Sequence, residues 1–177
     1  MKVMGIIGSP HRNGNTAYLL KHTFKVIGVS HQTEIIFLKD YNLKPCEGCH
    51  RCNRDGICII EDGMQELYKK LQKADAIILA SPSYMGGVTS RLKIFMERCW
   101  HLRKGKLEGK IGSYIIAGRR KIGLAPGEIM ECLARLKLII LPGVLGYGFG
   151  KGSIKEDTEA LQEAKRLGQA VISSLDR

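Results

Sequence analysis

Four cysteines lie close together in one short segment, with the spacing C-x2-C-x2-C-x5-C, at Cys46, Cys49, Cys52 and Cys58. Thiolates are ligands for soft metals, and their spacing indicates which metal they suit. Zinc sites usually divide their ligands into two separated pairs, whereas iron–sulfur runs place cysteines two residues apart with a fourth nearby. The spacing therefore favours an iron–sulfur cluster carried on one loop.

Four other interpretations of these cysteines remain open. Disulfides are disfavoured, because the segment 1–10 is too short in apolar length for a signal peptide and a cytoplasmic protein keeps its thiols reduced. The residues Cys46–His50 match the c-type haem pattern C-x-x-C-H, which leaves Cys52 and Cys58 without a role. Zinc fits the spacing poorly. The strongest alternative is a set of free thiols on a substrate-side loop, with no metal.

Length and composition predict one domain spanning residues 1–177. The chain is 44% apolar and 25% charged, which is typical of a soluble globular protein, and no apolar run is long enough to span a membrane. The formal charge of +11 favours anionic partners such as a phosphorylated cofactor or an acidic electron carrier. Nucleic acid is not expected, because no basic run is interleaved with aromatic residues. A solvated basic surface without a specific partner stays possible.

Short apolar runs alternate with amphipathic helical patterns along the chain. This alternation predicts a doubly wound α/β fold with a five-stranded parallel sheet in the flavodoxin-like order 2-1-3-4-5. A cysteine-rich insert, about residues 42–61, follows strand 2 and is long enough to be functional. The expected strands are Lys2–Ile7, Glu34–Leu38, Asp75–Ala80, Ile111–Ala117 and Leu138–Leu141, and the expected helices are Thr16–Ile27, one capped by Asp62, Ser90–Trp100, Pro126–Leu136 and one ending near Leu175.

The segment after the first strand, Gly8–Thr16, combines glycines with small polar residues. Such a loop turns backbone N–H groups inward and leads into a helix N-terminus, which attracts an anion. Ser9, Asn15 and Thr16 add side-chain donors. The loop has neither the lysine of a Walker A motif nor a G-x-G-x-x-G pattern, so it predicts neither an NTPase nor a Rossmann dinucleotide site. A simple turn with a helix cap is the alternative.

Several motifs together resemble a known family. They are the segment Gly8–Thr16, then Ser81-Pro82-x-Tyr84-x-Gly86, then Leu92-Lys93-x-Phe95. They resemble the NADPH-dependent FMN reductase-like branch of the flavodoxin superfamily. With the four cysteines added, the chain resembles the archaeal and bacterial iron–sulfur flavoproteins, and the resemblance extends from Met1 to the last helix.

The resemblance implies two cofactors, FMN and a 4Fe–4S cluster, and it implies the residues that hold them. The cluster would be ligated by Cys46, Cys49, Cys52 and Cys58. The FMN phosphate would lie on one loop, where His11 replaces the arginine usual in the family, and the isoalloxazine would lie against two others. The implied FMN-binding residues are Ser9, His11, Asn13, Gly14, Asn15, Thr16, Pro82, Ser83, Tyr84, Met85, Gly86, Gly87 and Gly118.

The resemblance further implies an oxidoreductase that transfers electrons between the cluster and FMN, from a ferredoxin-type donor to a two-electron acceptor. No catalytic acid or base is evident. Because the insert and the flavin loops leave one edge of the sheet, both cofactors are expected there, in a homodimer or homotetramer. Two alternatives stay open: an NAD(P)H-dependent FMN or quinone reductase without a cluster, and a non-enzymatic metal- or flavin-binding module.

Overall fold

A parallel sheet lies between two layers of helices in the computed structural model, which describes all residues, Met1–Arg177. None of its helices combines the length and apolar character needed to cross a membrane. The elements, in chain order, are β1 (Lys2–Ile7), α1 (Asn15–Ile27), β2 (Gln32–Phe37), α2 (Arg51–Asp55), α3 (Met64–Lys73), β3 (Ala76–Pro82), α4 (Ser90–Arg98), β4 (Ile111–Gly118), α5 (Ala125–Arg135), β5 (Ile139–Ile140), β6 (Val144–Tyr147) and α6 (Thr158–Leu175).

The strands follow the order β2-β1-β3-β4-β5, and all pairings are parallel. This confirms the flavodoxin-like order. Successive side chains point to opposite faces, so Val3 and Ile7 pack under α1 and α6, whereas Met4 and Ile6 pack under α3, α4 and α5. Burial on both faces explains why the central strands are almost entirely apolar.

The sheet has six strands rather than the five predicted, because the edge beside β4 is divided. β5 pairs Ile139 with Ile111, whereas β6 pairs Val144 with Ile115, so an extra residue separates the two registers. The break falls at Pro142 and Gly143, where a Cβ on Gly143 would lie 2.3 Å from the ring of Tyr114. Proline and glycine interrupt the apolar pattern at this point. The predicted strand Leu138–Leu141 therefore did not include the residues that form β6.

The cysteine-rich insert joins β2 to α3, as predicted, but it contains a short helix, α2. His50 and Gly56 flank this helix with positive φ angles of 55° and 70°, so the chain turns sharply at both ends. Other boundaries differ slightly from the expected ones. The third predicted helix ends at Arg98 and continues as a 3₁₀ turn over Cys99–Arg103, and α6 begins after the capping carboxylate of Asp157.

Candidate functional site

A concave pocket of about 450 Å³ opens at the carboxyl ends of β1, β3 and β4, beside the start of α1. We call it the flavin pocket. The structure brings together nine of the predicted cofactor residues here: Ser9, His11, Gly14, Asn15, Thr16, Pro82, Ser83, Tyr84 and Gly118. It also adds six lining residues that the sequence analysis did not select: Ala117, Arg119, Gly148, Phe149, Gly150 and Lys151. Asn13, Met85, Gly86 and Gly87 do not line the pocket itself.

The loop between β1 and α1 forms the phosphate side of the pocket. Ser9 Oγ accepts a hydrogen bond of 3.2 Å from the His11 N–H, which folds the loop over the helix end. Gly14 precedes α1 in an extended conformation, and no side chain caps the helix. The first N–H groups of α1 therefore remain available to an anion at the positive end of the helix dipole.

The Asn15 side chain forms hydrogen bonds to a distant segment, which its position in the sequence did not indicate. Its side-chain Nδ2 donates to Gly150 O at 2.9 Å, and its Oδ1 accepts from Gly152 N at 2.8 Å. The glycine-rich segment after β6 is also tied to β4, because Gly148 N donates to Gly118 O at 2.9 Å. The Asn15 amide therefore positions the loop that closes one side of the pocket.

A tight turn, Tyr84–Gly87, follows β3 at the rim of the pocket. The two end residues exchange backbone hydrogen bonds of 2.9 and 3.0 Å. The central residues, Met85 and Gly86, both have positive φ, at 50° and 79°. That pair of angles is typical of a type I′ turn, in which glycine is favoured and a methionine is uncommon. Met85 is fully exposed at the tip.

The start of α5 fixes this turn. Gly86 O accepts hydrogen bonds from Leu124 N and Ala125 N, at 2.6 and 3.2 Å. The Glu128 carboxylate accepts from Val88 N at 2.8 Å and pairs with Lys93 at 2.9 Å. The Val88 N–H and the Lys93 ammonium hold the pKa of Glu128 below its ordinary value, against a smaller effect of burial.

Thr89 joins the flavin loops to each other, and sequence reasoning missed it. Its hydroxyl donates to Gly8 O at 3.0 Å and accepts from Leu92 N at 3.3 Å, so it caps α4 and fixes the end of β1 together. A Cβ on Gly8 would lie 2.5 Å from the same hydroxyl. A threonine just before a helical pattern is a capping signal, but its second contact depends on the fold.

The four predicted cysteine ligands line a second cavity, of about 300 Å³, which we call the cysteine pocket. Burial raises the pKa of the Cys52 thiol, and the nearby sulfurs of Cys58, Cys46 and Cys49 raise it further. No three His, Cys, Asp or Glu side chains converge closely enough to hold a single metal ion. Four cysteine thiolates are the usual ligand set of an iron–sulfur cluster, and all four thiols line this one cavity.

A buried ion pair holds both ends of the cysteine insert. The side chains of Arg98 and Asp62 are 0% and 2% exposed, and they form two hydrogen bonds of 2.7 and 3.1 Å. Arg98 also donates to Lys44 O at 2.7 Å and to Ile60 O at 3.3 Å, on either side of the cysteines. Burial alone would raise the pKa of Asp62, but Arg98 and two backbone N–H groups bring it below its ordinary value. We call this pair the clamp.

The middle of the insert is held by the turn that follows α4. Trp100 Nε1 and Arg103 both donate to Asn53 Oδ1, each at 3.1 Å, and Lys104 donates to Asn53 O. The Arg103 guanidinium lies over the Trp100 ring, 4.2 Å from its centroid. Glu97, in the last turn of α4, accepts from Cys46 N at 2.8 Å. The insert therefore lies against the C-terminal end of α4.

The two pockets lie at opposite ends of α4. Thr89 and the flavin loops stand at its start, whereas Glu97 and Trp100 line the cysteine pocket at its end. A helix of nine residues is about 14 Å long. The two pockets are therefore separated along α4, and the placement of both cofactors at one edge of the sheet stays a prediction.

Comparison with known proteins identifies the family of this chain. Residues 1–151 match the NADPH-dependent FMN reductase family. An iron–sulfur flavoprotein of Methanocaldococcus jannaschii is 36% identical over 97% of this chain and 95% of its own, and one of Archaeoglobus fulgidus is 30% identical over 97% and 94%. An archaeal flavodoxin structure superposes over 100% of both chains with a TM-score of 0.67 and 18% identity, which supports the fold alone. The chain therefore belongs to the NADPH-dependent FMN reductase family and, within it, to the iron–sulfur flavoproteins, which confirms the expected FMN-dependent oxidoreductase.

Proposed function

We propose that this protein, as a single domain of residues 1–177, transfers electrons between a 4Fe–4S cluster and FMN. The donor is a ferredoxin-type protein, and the final acceptor takes two electrons. FMN supplies the link, because a flavin exchanges electrons either singly or in pairs. The observation that supports the proposal is the presence of two separate pockets in one chain, one beside the uncapped start of α1 and one lined by four thiols.

FMN is assigned to the flavin pocket by the residues named from the sequence. The free N–H groups at the start of α1, with Ser9 and Thr16, would bind its phosphate. Backbone groups of the Tyr84–Gly87 turn and Gly118 would border the isoalloxazine. Charged hydrogen bonds of this kind contribute about 1.5–3 kcal/mol each. FMN should therefore bind at least tenfold more tightly than riboflavin and more tightly than FAD, and equal affinity for all three would exclude a phosphate-anchored site.

The cluster is assigned to Cys46, Cys49, Cys52 and Cys58. Anaerobically purified protein should show the visible and EPR spectra of a 4Fe–4S cluster, with iron, sulfide and FMN confirmed by assay. Alanine at any of these four cysteines should remove the cluster and keep FMN, because the pockets share no lining residue. Alanine at Cys99 or Cys132, which are outside the insert, is the matched control and should retain both. Full iron and sulfide in a Cys58→Ala protein would disprove the ligand assignment.

The separation of the pockets along α4 supports an assembly of subunits. Within one chain the cofactors would be a helix length apart, whereas the insert of one subunit could cover the flavin pocket of another. We therefore propose a homodimer or a dimer of dimers with isologous contacts. Sedimentation of the protein with both cofactors present should show the oligomer. A monomer that still passes electrons from cluster to FMN would remove this part of the proposal.

The positive charge supports an acidic donor. Attraction between a +11 protein and a small acidic ferredoxin is screened within about 10 Å at 0.1 M salt. Reduction of FMN by ferredoxin should therefore be fast at low ionic strength and slow steeply as salt is added. Protein without the cluster should lose this reaction and keep chemical reduction by dithionite.

The second candidate is a reductase that takes hydride from NAD(P)H, and the matched family favours it by its description. It predicts rapid reduction of FMN by NADPH in protein that lacks the cluster. Slow or absent reduction by NADPH, together with rapid reduction by ferredoxin in the complete protein, supports the cluster-dependent route instead.

A further inference from the structure

Two residues from outside the cysteine-rich insert line the cysteine pocket, Glu97 and Trp100. Every other lining residue belongs to the segment 46–60, which carries the cysteines. Glu97 lies in the last turn of α4, and Trp100 lies in the 3₁₀ turn that follows. Side chains at this spacing point to the same side of a helical turn. The rest of the protein therefore meets the cluster site through one carboxylate and one indole ring.

The Glu97 carboxylate is fixed on the first cysteine of the insert. Its Oε1 accepts a hydrogen bond of 2.8 Å from the Cys46 N–H. None of the protein's ion pairs includes Glu97, not even one with His50, the basic side chain on the lining. Glu47 also lines the pocket, but it belongs to the insert itself and is not tied to α4. The structure therefore holds one uncompensated negative charge beside a cluster ligand.

The Trp100 ring forms an apolar part of the wall beside that charge. It lines both the cysteine pocket and a neighbouring cavity of about 220 Å³ between α4 and α5. Its Nε1 is held by Asn53 Oδ1 at 3.1 Å, and the Arg103 guanidinium packs on the ring. Arg103 lines the neighbouring cavity and not the cysteine pocket. The indole is therefore fixed in place, and the cation that holds it is not on the lining of the cluster site.

These two residues act in the same direction on a bound cluster. Reduction adds one negative charge to an iron–sulfur cluster, and its potential depends on nearby charge, on hydrogen bonds to its sulfurs and on solvent exposure. The Glu97 carboxylate opposes the added charge, and it occupies the Cys46 N–H, which cannot then donate to a sulfur. An indole wall excludes water, which would otherwise screen the carboxylate. We propose that Glu97 is a positioning residue that lowers the reduction potential of the cluster, with Trp100 limiting the screening of its charge.

This inference rests on the proposed function, because it requires a 4Fe–4S cluster in the cysteine pocket, and it concerns the direction of electron flow. A lower cluster potential favours transfer from the cluster to FMN over the reverse. The flavin pocket has no equivalent of Glu97, since neither Glu97 nor any other carboxylate is among its lining residues. The end of α4 therefore biases one cofactor site and leaves the other unchanged.

The test measures both midpoint potentials in anaerobic protein that holds cluster and FMN, by EPR for the cluster and by visible spectra for FMN. Glu97→Gln keeps an oxygen that accepts from the Cys46 N–H and removes only the charge, so iron and sulfide should stay at the wild-type content. Its cluster should be easier to reduce by about threefold in the equilibrium, an upward shift of about 28 mV at about 59 mV per tenfold change. The FMN potential should not move. Glu131→Gln removes the same charge from the neighbouring cavity alone and should leave both potentials unchanged.

A second variant tests the part assigned to the indole. Trp100→Leu removes the ring and its hydrogen bond to Asn53, so water should reach the cluster site. The cluster potential should rise, and a ferrous chelator should remove iron faster than from wild-type protein. In the Glu97→Gln/Trp100→Leu protein the additional shift due to Glu97→Gln should be smaller than in the wild-type background, because water then screens the carboxylate. An additional shift as large as in the wild-type background would disprove the role of the indole.

Three outcomes would overturn the inference as a whole: an unchanged cluster potential in Glu97→Gln, an equal shift in Glu131→Gln, or an equal shift in the FMN potential. A Glu97→Gln protein that cannot retain its cluster would make the carboxylate an anchor of the insert alone, and would likewise overturn it. Iron and sulfide in wild-type protein test the proposed function separately. Their absence would remove the cluster and this inference together, whereas a cluster whose potential ignores Glu97 would remove the inference alone.

Discussion

Main-chain groups build most of the flavin pocket, whereas buried side chains hold the cysteine pocket. Around the flavin pocket, carbonyl and N–H groups of Gly8, Gly86 and Gly118 meet partners on neighbouring loops. Around the cysteines, the Arg98–Asp62 clamp and the amide of Asn53 make the connections. The flavin pocket depends on close approach of backbone segments, and the cysteine pocket depends on a few charged and polar side chains.

The difference has a physical consequence for each region. Backbone contacts at close range leave no space for a Cβ, so replacing one of these glycines with alanine should disrupt the flavin pocket. A buried ion pair contributes little net stability while intact, but removal of one partner leaves an uncompensated charge. The cysteine pocket should therefore be lost through one charged side chain that is not itself a cluster ligand.

The largest expected effect is that of Arg98→Met. The substitution leaves Asp62 buried without its partner, so the free energy of unfolding should fall by about 3–5 kcal/mol in urea titrations of cofactor-free protein. Arg135→Met breaks an exposed pair with Glu131 and is the control, with an expected loss below about 1 kcal/mol. Iron and sulfide should be lost from the Arg98 variant, and FMN should be kept.

Removal of both partners separates the clamp from general stability. The Arg98→Met/Asp62→Leu protein carries no buried charge, so most of the lost stability should return. Lys44 and Ile60 would still lack their shared donor, and iron content should remain low. A double variant that regained full iron and sulfide would show that the clamp does not position the insert.

The next effect in size is that of Gly123→Ala, which tests the backbone of the flavin turn. Gly123 has φ 66°, and a Cβ there would lie 2.4 Å from Gly86 O. Strain of this kind costs about 1–3 kcal/mol, and FMN affinity should fall at least tenfold while iron is retained. Gly127→Ala, in α5 with no atom near its Cβ, should instead stabilise by about 0.5–1 kcal/mol. Equal FMN affinity in the two variants would disprove a turn fixed by close packing.

Local sequence patterns explain how much of each region could be predicted. The strand order followed from the alternation of apolar runs with helical patterns. Most of the flavin pocket followed from the segments Gly8–Thr16 and Ser81–Gly87, because glycine, proline and hydroxyl residues mark turns and helix ends at fixed short spacings. The four cysteines also share one short segment. Such spacing patterns relate residues that are close together in the sequence. The residues of both pockets that lie within these short segments could therefore be predicted.

The contacts that escaped prediction join residues distant in sequence. Arg98 and Asp62 are 36 residues apart, and Asn15 meets Gly150 across 135 residues. Asp62 was interpreted as the helix cap, but Gly63 occupies the cap position of α3 and Asp62 precedes it, accepting from Met64 N. The ion pair of Asp62 with Arg98 has no local signature. The position of the cysteine pocket at the far end of α4 depends on that pair, which no local pattern in the sequence indicates.

The smallest expected effect is a pH dependence that distinguishes the clamp from the flavin pocket. A carboxylate with a lowered folded pKa stabilises the fold above its unfolded pKa, and that stability is lost as the pH falls through the folded pKa. Asp62 is such a group, so wild-type protein should lose stability below its unfolded pKa of about 3.8, by at most about 1.4 kcal/mol per pH unit for this one proton. In Asp62→Asn the slope should be shallower, as measured by urea midpoints between pH 5 and 2. Identical slopes would mean that Asp62 gains nothing from Arg98, and that the insert is held by Asn53 and Glu97 alone.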